Sequence, residues 1–291
     1  MTTELARTGA VGYRPTRTLS ILAEVRRQAT RRRTQLALGF MFVLPLIILV
    51  AFEFGSDSNS DDNNGGGAFG SLIDLATSSG LNFALCCLGV SSGFLLVVVV
   101  ALFNGDTVAS EASWGSLRYL LAVPVPRARL LAVKLIVSLL YSLVALLILG
   151  GTALLAGTLR YGWHPLGSTV AATIPPGQGV VRLLGIMAYL AITMLIVAGL
   201  AFLLSVSTDA ALGAVGGAVL LWILSGILDQ ITALGSIRNV LPTHYSEAWL
   251  GLLSTPPQVD DLVKGAITAV LYATVFWSLA FWRFTRKDIT S

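Results

Sequence analysis

Apolar residues in this chain fall into six runs, and the charged residues collect between them. The runs cover residues 36–54, 81–103, 130–157, 181–206, 211–231 and 266–284. A membrane-crossing helix needs about 20 predominantly apolar residues, because in hydrocarbon every backbone N–H and C=O must find its partner within its own segment. The pattern therefore predicts an all-α polytopic membrane protein with six transmembrane helices. The third run is longer than a bilayer requires, so its first turn, with Lys134, is expected in the cytoplasm or at the interface. The fourth and fifth runs are joined by little more than "STDA" and predict a tight hairpin. Between the fifth and sixth, a half-apolar stretch punctuated by Pro242, Pro256 and Pro257 predicts short helices on or dipping into the outer leaflet.

Ahead of the first run, "LSILAEVRRQATRRR" sets Ile21, Leu22, Val25 and Ala29 on one side of a helix, with Glu24, Arg27 and Arg31 opposite. That is the pattern of an amphipathic helix lying at a membrane surface, with lipid as its partner. The expected organisation is a cytoplasmic N-terminal segment (1–35), a transmembrane domain (36–284) and a short cytoplasmic tail (285–291).

Charge placement orients the runs. Lys and Arg concentrate on the cytoplasmic side of membrane proteins. Eight arginines precede the first run, four cations (Arg118, Arg127, Arg129, Lys134) lie between the second and third, and three (Arg283, Arg286, Lys287) close the chain. The alternate connections hold only Arg160, Arg182, Arg238 and Lys264. Both termini are therefore expected in the cytoplasm of a multi-pass protein of the inner (plasma) membrane. Composition agrees: 55% of residues are hydrophobic and 12% charged, against about 25% charged in a soluble domain. The net charge of +4 is thus a matter of topology and does not point to nucleic acid.

Several chemistries find no support. Cys86 and Cys87 are adjacent in an apolar run and read as small packing residues. No G-x-x-x-x-G-K-[ST] occurs, so ATP has no P-loop in this chain. "GVSSG" (89–93) matches a nucleophile elbow, but it sits in an apolar run with no histidine near in sequence, so it reads as small-residue helix packing. His164 and His244 have no metal-ligand spacing. Acids in the apolar runs are few, with Glu53 and Asp229 at outer ends, which disfavours proton-driven transport and favours apolar or amphipathic cargo. Gly213 and Gly217 have GxxxG spacing and are expected to admit a neighbouring helix.

The segment "EASWGSLRYLLAVPVPRARLLAVK" (111–134) is the largest cytoplasmic connection between runs. Asp106 or Thr107 is expected to cap a short helix in it, and Pro124 and Pro126 to end it. Lying along the membrane, it is expected to present Glu111 and Arg118 to the cytoplasm while Trp114, Leu117, Leu120 and Leu121 face apolar surroundings.

Here the chain resembles a family. Glu111, Gly115, Ser116, Leu117, Leu120, Leu121, Pro124, Val125, Arg127 and Lys134 resemble the signature of ABC-2 type transporter permeases. The basic amphipathic helix, the six runs and the ending "FWRFTRKDI" are similar too. The resemblance implies the ABC-2 (type V exporter-like) fold and the permease subunit of an ATP-binding cassette transporter. Such a subunit exports a hydrophobic or amphipathic drug, antibiotic or lipid. It implies no cofactor in this chain, with ATP and Mg on a separate ATPase subunit, and a second permease chain as homodimer or heterodimer partner. It also implies that Glu111, Trp114, Gly115, Arg118, Pro124 and Arg127 couple the spans to that ATPase. The alternative is a membrane sensor or scaffold that recruits an ATPase to the cell envelope without moving cargo.

Overall fold

A computed structural model of the chain describes residues 20–55, 75–113, 126–167 and 173–286. Among these residues the secondary structure is helical, apart from one isolated bridge between Leu166 and Ile174. A short helix α1 (Ile21–Ala29) leads into α2 (Arg32–Gly55). Then follow α3 (Gly80–Gly93), α4 (Leu95–Ser113), α5 (Arg127–Tyr161), α6 (Pro176–Ser207), α7 (Ala211–Asp229) and α8 (Asp260–Arg286). Two 3-10 segments, Thr232–Val240 and Ala248–Leu253, occupy the connection between α7 and α8.

Local chemistry explains the boundaries. The Ser79 side chain accepts the Asn82 amide and caps α3. Pro126 precedes α5, and Pro176 occupies the first turn of α6, where its missing N–H leaves no helical bond unmade. Five helices are long and apolar enough to cross a membrane, or six if the bent pair α3–α4 is one passage. With 35 residues, α5 is about 52 Å long at 1.5 Å per residue, well beyond the hydrocarbon thickness.

The second apolar run differs from its expectation. Its helix does not stop at residue 103 but continues to Ser113, which places Asp106 and Thr107 inside α4, buried, and not at a helix start. The run is also broken, since α3 and α4 diverge by 55° at Phe94, whose φ of −138° is not helical. "GVSSG" supplies the cause. Ser91 Oγ donates to the Cys87 carbonyl at 2.6 Å and Ser92 Oγ to the Gly89 carbonyl at 2.8 Å. Such back-bonding weakens and bends a helix, and Gly93 follows with no side chain to hold the turn.

The main core lies between α3, α4, α5 and α6, around Phe83, Phe103, Leu149, Ile186 and Leu190. A second cluster joins Val108, Leu130, Phe202, Val206 and Phe284 at the end where α4, α6 and α8 finish and α5 begins. Leu36, Ile47, Leu212, Leu220, Leu224 and Leu271 are exposed on the outside of the bundle. A contiguous apolar exterior of this kind suits lipid, and in water it is an aggregation surface. The chain is a membrane-embedded helical protein.

Small residues set helix approach, and the tightest case lies at glycines other than Gly213 and Gly217. Gly213 is exposed, and a Cβ there meets only Ala210, while one on Gly217 meets a single methyl of Leu204. The close crossing is between α3 and α5. A Cβ on Gly80 lies 2.6 Å from Thr158 Cα, and one on Gly157 lies 2.8 Å from the Gly80 carbonyl oxygen. Gly80→Val is expected to lower stability by about 1–3 kcal/mol through overpacking, while Gly213→Ala leaves it within about 0.5 kcal/mol. Thermal unfolding of the purified chain in lipid nanodiscs checks both; equal midpoints for the two variants refute the assigned crossing.

A buried charge network as the candidate functional site

Four helices, α1, α2, α4 and α5, bring ionisable side chains together at the end of the bundle that holds α1, with Arg33 coming from α2. On α1, the face carrying Glu24 and Gln28 turns into the protein, while Ile21 and Leu22 point outward. The apolar face is thus left for lipid and the polar face is used internally. α4 contributes Asp106, Ser110 and Glu111, and α5 contributes Lys134.

Glu111 is the hub. Its Oε1 lies 2.5 Å from Lys134 Nζ, is paired with the Arg27 guanidinium, and is 3.7 Å from Arg31 Nη2. Lys134 also reaches Glu24 at 3.4 Å and the Thr107 carbonyl at 3.4 Å. Side-chain exposure is 3% for Glu111 and 2% for Lys134. Beside them, Asp106 pairs with Arg33 and stands 3.6 Å from Arg31. Deeper in the bundle, the Asn104 amide donates to Ser142 Oγ at 3.1 Å and accepts from Ser138 Oγ at 2.7 Å, joining α4 to α5. Tyr141 donates to the Val25 carbonyl at 2.8 Å and ties α5 to α1. Ser205 of α6 accepts from the amides of Val108 and Ala109.

The arrangement corrects one expectation: Glu111 is not presented outward but meets Lys134 inside the bundle, where each satisfies the other. The reason is desolvation: an ion taken out of water alone costs several kcal/mol, and an opposite charge with hydrogen bonds offsets it. Of the other residues expected at the coupling site, Arg127 is exposed at the start of α5, whereas Trp114, Gly115, Arg118 and Pro124 lie outside the described residues. Glu24, Asp106 and Asn104 belong to the site without having been singled out for it. The signal available was the lone cation in "LLAVKLIV", which requires a carboxylate but does not say which one.

The opposite end carries different chemistry. Arg160 makes a two-pronged ion pair with Glu53, at 2.6 and 2.9 Å. Asp229 accepts from His244 at 2.7 Å and lies 3.5 Å from Arg238. Arg182 donates to the carbonyls of Leu252 and Ser254, and Tyr189 to that of Tyr245, fixing the 3-10 segments against α6. Among the described residues, no group of three or more His, Cys, Asp or Glu could hold a metal ion.

Burial opposes ionisation of Glu24, but Lys134 and Arg27 beside it outweigh burial and hold its pKa below the ordinary glutamate value. A carboxyl whose pKa is lower folded than unfolded contributes stability that is complete above the unfolded value and lost as pH falls through the folded one. Wild type is therefore expected to unfold at a higher temperature than Glu24→Gln at neutral pH, the two midpoints converging as pH falls to about 4 or below. A constant gap across that range refutes the ionised Glu24.

Residues 68–290 match the family described as "Protein of unknown function (DUF2705)", and the chain belongs to that family. No curated protein matches it.

Proposed function

We propose that this member of the DUF2705 family is the membrane-spanning permease subunit of an ATP-binding cassette exporter. In this reading α3 and α4 form one broken passage, six spans result, and the fold is of the ABC-2 type. The observation that carries the reading is the pairing of Glu111 with Lys134. These residues stand on either side of the connection that leaves α4 and enters α5, and their contact clamps its two ends to each other and to α1. A pull on such a connection moves α4 and α5 as a unit and is not absorbed by slack.

Sidedness follows from the cations. Arg27, Arg31, Arg32, Arg33, Arg127, Lys134, Arg283 and Arg286 are placed toward the α1 end, and Lys and Arg favour the cytoplasmic face. The connection then faces the compartment that holds ATP. A separate ATPase subunit, carrying ATP and Mg, grips residues 114–125 and Arg127, and a second permease chain completes the transporter. Glu111 acts by positioning, from inside. ATP binding favours the outward-open state and cargo the inward-open one, since a ligand shifts an equilibrium only by its differential affinity. The exported cargo is hydrophobic or amphipathic, in keeping with spans that place few ionisable groups along their middles.

Arg127→Glu reverses a charge at the exposed start of α5. In the purified, folded complex of permease and ATPase in nanodiscs, this variant is expected to reduce transport-stimulated ATP hydrolysis about tenfold, a change of roughly 1.4 kcal/mol in coupling. Unchanged stimulation contradicts the assigned contact. Failure of any ATP-binding cassette ATPase to co-purify with the chain from its native membrane contradicts the permease reading altogether.

A further inference from the structure

Where α3 and α4 part company, the bundle does not close. A cavity of about 620 Å³ lies between this break, α6, α7 and the stretch 243–250 that enters the second 3-10 segment. Its size falls within the roughly 300–1,000 Å³ of small-molecule sites. One side is apolar, with Leu190, Met194 and Ile223, and the other carries Trp222, His244, Glu247 and Trp249.

The charges of this wall point to an occupant. The Glu247 carboxylate has no partner among the described residues, and no Lys or Arg lines the cavity. Asp229, the other carboxylate of the wall, is already matched by His244 and Arg238. Gly226, within α7, has nothing within 4 Å of where its Cβ would lie, so a larger side chain there has room to enter the cavity.

We infer that this cavity is a binding site for an amphipathic organic cation. Its apolar body lies against Leu190 and Met194, and its positive charge faces Glu247 and the indole of Trp222, where an aromatic face attracts cations. The inference rests on the permease reading for the site's purpose, as the place where cargo is held, but binding itself needs only this chain.

The test uses the full chain in lipid nanodiscs, with rhodamine 6G as probe, a fixed cation with an ester carbonyl. Fluorescein is the anionic counterpart, and empty nanodiscs give the lipid background. Fluorescence anisotropy is expected to show saturable rhodamine binding. Gly226→Leu, which fills the cavity, is expected to weaken it about tenfold or more, and Glu247→Gln about five- to tenfold. Fluorescein is expected not to bind. No saturable binding, equal binding of the anion, or binding unchanged in a folded Gly226→Leu and in Glu247→Gln overturns the site. Because Glu247 is exposed, Glu247→Gln decides the matter if Gly226→Leu does not fold. Saturable binding by a chain that shows no ATP-driven transport keeps the site and removes the permease reading. ATP-driven rhodamine export that survives both variants removes the site and keeps the permease.

Discussion

A lysine ammonium withdrawn from water at one end of an apolar bundle dictates what surrounds it. Lys134 is almost fully enclosed, and such a charge persists only where carboxylates and carbonyls replace its hydration. Glu111 and Glu24 supply the carboxylates, Thr107 the carbonyl, and Arg27 balances the second acid. These partners come from α1, α4 and α5, so the three helices must meet at one place. The polar rungs of Asn104, Ser138 and Ser142 continue the same seam inward, where each hydroxyl or amide is again satisfied by a neighbour. An amphipathic helix that could have floated on lipid is thereby docked by its polar face, with Ile21 and Leu22 left to the bilayer.

One helix carries consequences from that network to the other end. α4 starts at the break beside Phe94 and carries Glu111 near its far end. That acidic end is pinned by ion pairs and by Ser205. Its other end adjoins a cavity and the two exposed residues Gly93 and Phe94. Under the permease reading, a rod pinned at its charged end and broken at the other carries displacements to the cavity. In that reading this is the path from ATPase to cargo, and the serines of "GVSSG" are hinge residues of a helix and not nucleophiles.

Much of the fold was legible in the sequence because hydrocarbon imposes a length and a polarity on each passage. Helices α2, α5, α6 and α8 contain their apolar runs, α7 ends two residues short of its own, and short helices before α8 were expected from the half-apolar, proline-punctuated stretch there. The break at Phe94 was legible in part, since Ser91, Ser92 and Gly93 are all poor helix residues, but hydropathy counts them as tolerable and passes over them. What periodicity could not supply was pairing at a distance. Glu24 and Lys134 are separated by 110 positions, and nothing local distinguishes an acid that faces solvent from one that faces a lysine. Asp106 and Thr107 look like helix caps in a window that ends at residue 103, and only the continuation of α4 makes them interior. Gly213 and Gly217 show the converse: a good spacing pattern on a face that the chain itself leaves nearly unused, while Gly80 and Gly157, with no pattern, make the close crossing.

The account depends most on the buried pair being one energetic unit. A double-mutant cycle of Glu111→Gln and Lys134→Met, followed by unfolding of the full chain in lipid nanodiscs, measures this directly. Each single variant breaks the buried pair, leaving Lys134 with Glu24 or Glu111 with its arginines, and is expected to lose about 3 kcal/mol. The double variant is expected to lose less than the sum by more than about 1.5 kcal/mol. Additive losses would contradict the network as the joint that holds α1, α4 and α5 together.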